Sequence, residues 1–293
     1  MRPASLRPAL AAILVLAFGL PGALAAQEPF VRVPAGSFLM GSPISEPNRG
    51  REEGPQHEVS LSSFLIGRYE VTQAEWVAVM GSNPSRFQGE GLPVEGVSWY
   101  EVLVYCNKRS AAEGLSPCYR IGGSVDPADW GSVPTVANGI WNAAVCDFSA
   151  EGYRLPTEAE WERACRAGTS TATSFGDSLT SAQANFDGNL PYNSPTKGDP
   201  LKRTTPVGSY APNAWGLYDM HGNVWEWCWD HYSSVYYGGS PKTDPRGPEG
   251  GRYRVMRGGS FSNFGYRLRS AARRDEDPHY RDADDGFRLV RGQ

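Results

Sequence analysis

The chain has 293 residues, with 28 Lys and Arg against 32 Asp and Glu, and a formal charge of −4. That balance, with no basic run at either end, argues against nucleic acid as a partner. With 34 glycines, 23 prolines, 9 tryptophans and 14 tyrosines, regular elements must be short and turns frequent, which excludes a bundle of long helices.

In chain order, Arg2 and Arg7 come first, followed by an apolar run from Ala9 to Leu20 and the small-residue stretch Ala23-Leu24-Ala25-Ala26. This is the layout of a secretory signal peptide, expected over residues 1–26, with a single domain following at 27–293. The apolar run is shorter than the roughly 20 residues a bilayer span needs. The mature protein is therefore expected in the periplasm or the medium and not embedded in a membrane. Loss of the two arginines, with no acid alongside, takes its charge from −4 to −6.

Next, "FVRVPAGSFLMGS" and "HEVSLSSFLIGRYEV" read as short strands joined by turns. Three S/T-x-x-E boxes begin at Thr72, Ser98 and Thr157. Each places a hydroxyl and a carboxylate where they can cap orphan amides. They predict helices at 73–80, 99–112 and 158–167, stopped by Gly81, Gly114 and Gly168. Strands and helices alternate without a βαβ rhythm, so the fold class is α+β.

Residues 115–150 read as an inserted hairpin whose arms carry Cys118 and Cys146. Paired in register, the two sulfurs would face each other, and a disulfide closing that loop would stabilise by about 3 kcal/mol. The other cysteines are Cys106, Cys165 and Cys228, and no CxxC is present, which excludes a zinc ribbon or a thioredoxin site. From 169 to 212 the chain is polar and proline-rich, a loop long enough to need a tie.

In "GLYDMHGNVWEWCWD" (216–230), Asp219 and Glu226 flank Gly222 and Val224. A chain looping back there offers carboxylate and carbonyl oxygens, the donors that suit Ca²⁺. The competing reading is that both acids cap turns, and His221 beside them reads as structural. In "RGGSFSNFGYRLRSAAR" (257–273), two glycines precede Ser260. A nucleophile can sit on such a bend, but so does an ordinary turn. Ser260 lacks the G-x-S-x-G setting and no histidine is placed as its base by any motif, which removes a serine hydrolase.

The ordered series "VPAGSFLMGS", "YEVTQAEWVAVMG", "PVEGVSWYEVLVYCN", "YRLPTEAEWERACRAG", "GLYDMHGNVWEW", "VMRGGSF" and "DDGFRLV" resembles the formylglycine-generating enzyme family, also called sulfatase-modifying factor proteins. The resemblance covers about 30 to 291. It implies a variant of the C-type lectin fold with little regular structure and bound structural calcium. One calcium site carries over to Asp219, Gly222, Val224 and Glu226, the other to Asn185, Phe186, Asp199 and Leu201. The family's oxidases turn a cysteine in a Cys-x-Pro-x-Arg segment into formylglycine, using two copper-binding cysteines after "RGGS".

In this chain those two places are Asn263 and Gly265, neither of which holds Cu(I) as a soft thiolate does. Copper is therefore not expected. Ser260, matching the family's active-site serine, and Trp225, which lines its cleft, remain. The family's disulfide partners of Cys106 and Cys165 fall on Leu289 and Ser270, so both thiols are expected reduced. Arg267, Arg269 and Arg273 then read as fold spine, pairing with acids such as Asp284 and Asp285. Three functions compete. The leading one is a binding module whose aromatic cleft near Trp225, Ser260 and Asn263 takes a peptide, protein or glycan. The others are a metal-dependent oxidase with different ligands and a structural surface protein.

Overall fold

A computed structural model describes Met1 and residues 29–292; the expected signal peptide lies, apart from Met1, outside the described residues. The chain opens with β1 (Phe30–Val33), then β2 (Gly36–Met40) and β3 (His57–Leu61), which pair antiparallel. Strand β4 (Phe64–Gly67) returns against β1, with Phe30 opposite Gly67. Helices α1 (Gln73–Met80) and α2 (Trp99–Ala112) follow. After them come β5 (Tyr119–Arg120), the short α3 (Gly139–Asn142), β6 (Val145–Cys146), β7 (Tyr153–Arg154) and α4 (Glu158–Arg166).

The three long helices start where the capping boxes placed them. Thr72, Ser98 and Thr157 each accept the amide of the glutamate three residues on, and each glutamate side chain accepts the cap's own amide. Helix α4 stops one residue before the expected end, because Ala167 is already left-handed at φ 46° and Gly168 follows at φ 92°.

The 169–212 segment forms no helix or extended strand. It is tied by its own small core, in which Ala172, Leu179, Ala184, Phe186 and Tyr192 pack on Leu268. Beyond it lie β8 (Trp225–His231), β9 (Arg254–Arg257), β10 (Arg274–Glu276), β11 (Asp285–Gly286) and β12 (Val290–Arg291). Two four-stranded sheets result, ordered β1-β4-β12-β7 and β10-β9-β8-β11. One apolar core joins α1 and α2 to β8 through Trp76, Trp99, Tyr105, Trp227 and Phe287. A second joins β4, α4 and β9 through Ile66, Trp161 and Val255.

Helix α4 is buried at every position, although five of its nine residues are charged. Buried charge is tolerated only when paired, and here each acid has an arginine. Glu158 meets Arg273 at 2.6 Å, Glu160 meets Arg154 at 2.7 Å, and Glu162 meets Arg166 at 2.8 Å. Arg257 of β9 reaches both Glu158 and Glu162.

Two expectations need correction. Arg269 and Arg273 are buried spine residues whereas Arg267 is exposed on the surface, and none of the three pairs with Asp284 or Asp285. Arg269 binds Glu53 and Glu46, each at 2.6 Å, and Arg273 binds Glu158. The 46–53 loop and α4 supply the acids, while Asp285 is held by Arg274 at 3.0 Å.

In the 115–150 insertion the β5–β6 register sets Tyr119 opposite Cys146. The amide of Asp147 then donates to the Cys118 carbonyl at 2.8 Å. Successive strand residues alternate faces, so Cys118 and Cys146 are not opposed as expected, and all five thiols are free.

Candidate functional site

Strand β9 ends at Arg257, and the chain then turns through Gly258 and Gly259 at φ 97° and 73°. A Cβ at Gly259 would stand 2.8 Å from the Leu268 side chain, so left-handed backbone and close approach both require glycine. The turn delivers Ser260 fully buried. Its hydroxyl and that of Ser262 both donate to Oδ2 of Asp284, at 2.5 and 2.6 Å. The Ser260 amide donates to Oδ1 of Asn263 at 3.1 Å. Asn263 thus closes the turn with its side chain. The bend is scaffold, and Ser260 is anchored to a carboxylate with no imidazole in its hydrogen-bond set.

Gly265 carries the other half of the implied copper pair. Its amide donates to Leu190, and a Cβ there would lie 2.4 Å from the Tyr192 amide nitrogen. The 169–212 loop fills the space a cysteine side chain would need.

Beside this turn lies a cleft of about 420 Å³ lined by Trp225, Ser262, Asn263, Arg267, Arg274, Asp275, Asp282 and Asp284, among others. Trp225 is only 2% exposed, with the Arg274 guanidinium 5.6 Å from its ring. The expected aromatic wall is therefore largely covered, and the surface offered to a ligand is charged, with acids and arginines alternating. Behind it, burial pushes the Asp285 carboxyl up to about 8 despite Arg274, and its Oδ2 is buried without a partner.

The residues implied for calcium are placed as follows. Asn185 donates through Nδ2 to the Arg203 carbonyl at 2.9 Å and to Asn223 at 3.1 Å, which leaves its Oδ1 buried and unpartnered. An orphaned amide oxygen fits a cation ligand. Asp199 and Leu201 stand on the exposed rim of the same loop, and Phe186 is buried in the loop's core. At the second place Asp219 is left-handed at φ 57° and accepts the Gly208 amide at 2.7 Å. Gly222 packs against the Asn185 carbonyl, where a Cβ would stand at 2.3 Å.

Glu226 is engaged otherwise than expected. Both oxygens accept from Arg288 at 2.6 Å, and one also takes the Trp161 indole N–H at 2.7 Å. Sequence reasoning missed Glu70, which is wholly buried and holds Asn223 Nδ2 at 2.7 Å and the Val224 amide at 3.2 Å. Burial, then the charges of Asp219 and Glu226, push its carboxyl well up. Its only signal was an acid inside the apolar stretch "YEVT". Among the described residues no three His, Cys, Asp or Glu side chains are grouped to hold a metal. A cation here would draw on amide and main-chain oxygens with an isolated carboxylate such as Asp199.

His221 is saturated as a neutral ring. Nδ1–H donates to the Leu268 carbonyl at 2.6 Å, and Nε2 accepts the Ser174 amide at 3.1 Å. Cys165 Sγ lies 3.6 Å from Ser270 Oγ, the position where the resemblance put the missing disulfide partner. Burial pushes the Cys165 thiol up to about 12, which keeps it protonated and inert.

A turn-rich α+β domain built on this glycine turn, with a buried Glu–Arg helix beneath it, is of the sulfatase-modifying factor type, a C-type lectin-like fold. The chain belongs to that family: residues 19–293 match the sulfatase-modifying factor enzyme 1-like domain. A formylglycine-generating enzyme of Thermomonospora curvata is 36% identical over 89% of this chain and 92% of its own. The chaperone protein LppX of Paenibacillus barcinonensis is 39% identical over 69% of this chain and 71% of its own. Among solved structures, Treponema denticola variable protein 1 superposes with a TM-score of 0.77 at 35% identity, covering 90% of this chain and 95% of that one. PvdO from Pseudomonas aeruginosa gives 0.68 at 28% identity, covering 90% and 94%.

Proposed function

We propose that this chain is an exported, calcium-stabilised binding module that holds a charged polypeptide segment in the cleft beside Ser262, Asn263 and Asp284, and is not a formylglycine-forming oxidase. The observation that carries this reading is the lost copper pair. Asn263 spends its side-chain oxygen on the Ser260 turn, and Gly265 has no room for any side chain against Tyr192. An amide oxygen and a bare backbone are hard donors and hold Cu(I) poorly.

The cleft favours a polypeptide over a glycan. Sugar recognition commonly uses an open aromatic face, and Trp225 is covered. Alternating arginines and carboxylates instead suit a segment bearing both charges, read by paired hydrogen bonds. One relative is named a chaperone and another an enzyme that generates formylglycine, so this fold serves more than one activity. Ser260 and Asp284 are positioning groups for the turn.

Two measurements test the reading. Titrating the purified protein with Cu(I) against a chromophoric chelator should leave the metal on the chelator; stoichiometric capture would restore the oxidase. Probing a peptide array with wild type and Arg267→Ala should show peptides rich in both charges, with acidic ones lost in the variant. A wild-type array without signal contradicts the binding role.

A further inference from the structure

A second cavity, of about 180 Å³, lies between the start of β4, the first turn of α4 and the 244–246 loop. It shares no lining residue with the cleft beside Ser262. Its charged lining is Arg154, Arg246, Arg291, Glu160 and Asp244. Both acids are already engaged. Glu160 is clamped by Arg154 through two bonds of 2.7 Å, and Asp244 takes the amide and hydroxyl of Ser62 at 2.7 and 2.8 Å.

Two of the three cations have no such clamp. Among the described residues Arg246 is clamped by no acid and Arg291 acts on Glu113 only through its charge, without a direct ion pair, and Nε of both Arg154 and Arg291 is buried without a partner. Arg154 itself is 5% exposed. The guanidinium groups of Arg154 and Arg246 both lie against the Phe148 ring, 4.8 and 4.0 Å from its centroid. That ring attracts cations but carries no net charge. With Arg154 neutralised by Glu160, the Arg246 and Arg291 guanidinium groups on one small cavity still repel each other unless an anion lies between them.

The geometry points to a binding site for a tetrahedral oxyanion, the phosphate or sulfate group of a small ligand, between Arg154, Arg246 and Arg291. Guanidinium donors arriving from three chain segments match oxygens that point in several directions, and arginine forks are the usual partners of such groups. Phe148 belongs to the 115–150 insertion, so this segment completes the site. The volume exceeds a bare ion and leaves room for the first atoms of an ester.

Thermal melting and calorimetric titration at constant ionic strength test this, with inorganic phosphate, sulfate and glycerol 3-phosphate as probes and chloride as control. The expected result is a saturable rise in Tm with at least one oxyanion, absent with chloride. Glycerol 3-phosphate binding more tightly than phosphate would mark an ester as the ligand, and equal binding the free ion. The Arg246→Gln/Arg291→Gln variant should bind at least about tenfold more weakly, the loss of one charge-assisted bond. Should the double variant not fold, Arg246→Gln alone, at an exposed position, must show the weakening. No saturable response in the wild type, or the same response in the variants, overturns the site.

Discussion

Arg257 shows how far single residues carry this fold. It is fully buried on β9, and its two terminal nitrogens reach Glu158, Glu162 and the carbonyls of Ser270, Ala271 and Ala272. Removing one member of such a network leaves the others charged or unpaired in a dry interior. Arg257→Met should therefore cost about 3–5 kcal/mol in urea unfolding; a loss near zero would mean the pairs contribute nothing net. Glu95 is the opposite case. It is fully buried and takes the Phe87 amide at 2.8 Å, while its Oε2 has no partner. Burial raises its carboxyl to about 7 from 4.5. A raised folded-state pKa gives stability that is complete below the unfolded value and is lost as pH rises towards the folded one. Glu95→Gln, which does not titrate, should gain in Tm relative to wild type as pH climbs from about 4.5 to 7 and stay level above, and a pH-independent difference would contradict this. Of the arginines after Ser260, Arg269 and Arg273 were legible as spine from their density while Arg267 is exposed, and their partners were not legible. Choosing Glu53 and Glu158 over Asp284 depends on which distant loop packs there, and no local pattern encodes that.

At the scale of elements, the capping boxes were the most legible feature, because the signal and the structure it makes lie within four residues. Ser98 accepts the Glu101 amide at 3.2 Å while Glu101 accepts the Ser98 amide at 2.8 Å. Ser98→Ala should cost about 1 kcal/mol in chemical denaturation, and an unchanged midpoint would show that α2 is held by packing alone. The insertion was less legible. Its flanks do pair, yet a one-residue difference in register separates Cys118 from Cys146, since turn geometry between the arms decides register. The 169–212 loop was expected to need a tie, which the family resemblance placed on calcium. The structure shows an apolar one, with Tyr192 and Leu268 packed in the same cluster, and that packing closes the space beside Gly265.

Across the whole molecule, the family was legible from ordered motifs, while the character of the cleft was not. Trp225 marks its place in the sequence, but Arg274, 49 residues on, covers the ring and turns an aromatic wall into a charged one. The calcium reading is tested at this scale. Chelation should lower Tm, because withdrawing a ligand bound only to the native state removes about 2.7 kcal/mol of stability if calcium had stood at a hundredfold over its Kd. Asp199→Ala, at an exposed position, should reduce that response without unfolding the chain; a melting curve indifferent to chelator would remove calcium from the account. Under the proposed binding function, the turn after Arg257 keeps the family's shape without its oxidase chemistry. Mass spectrometry of a Cys-x-Pro-x-Arg peptide incubated with the purified protein, dioxygen and Cu(I) tests it most directly. An unchanged thiol is expected, and catalytic appearance of the aldehyde, with loss of H₂S and gain of one oxygen atom, would contradict the binding function.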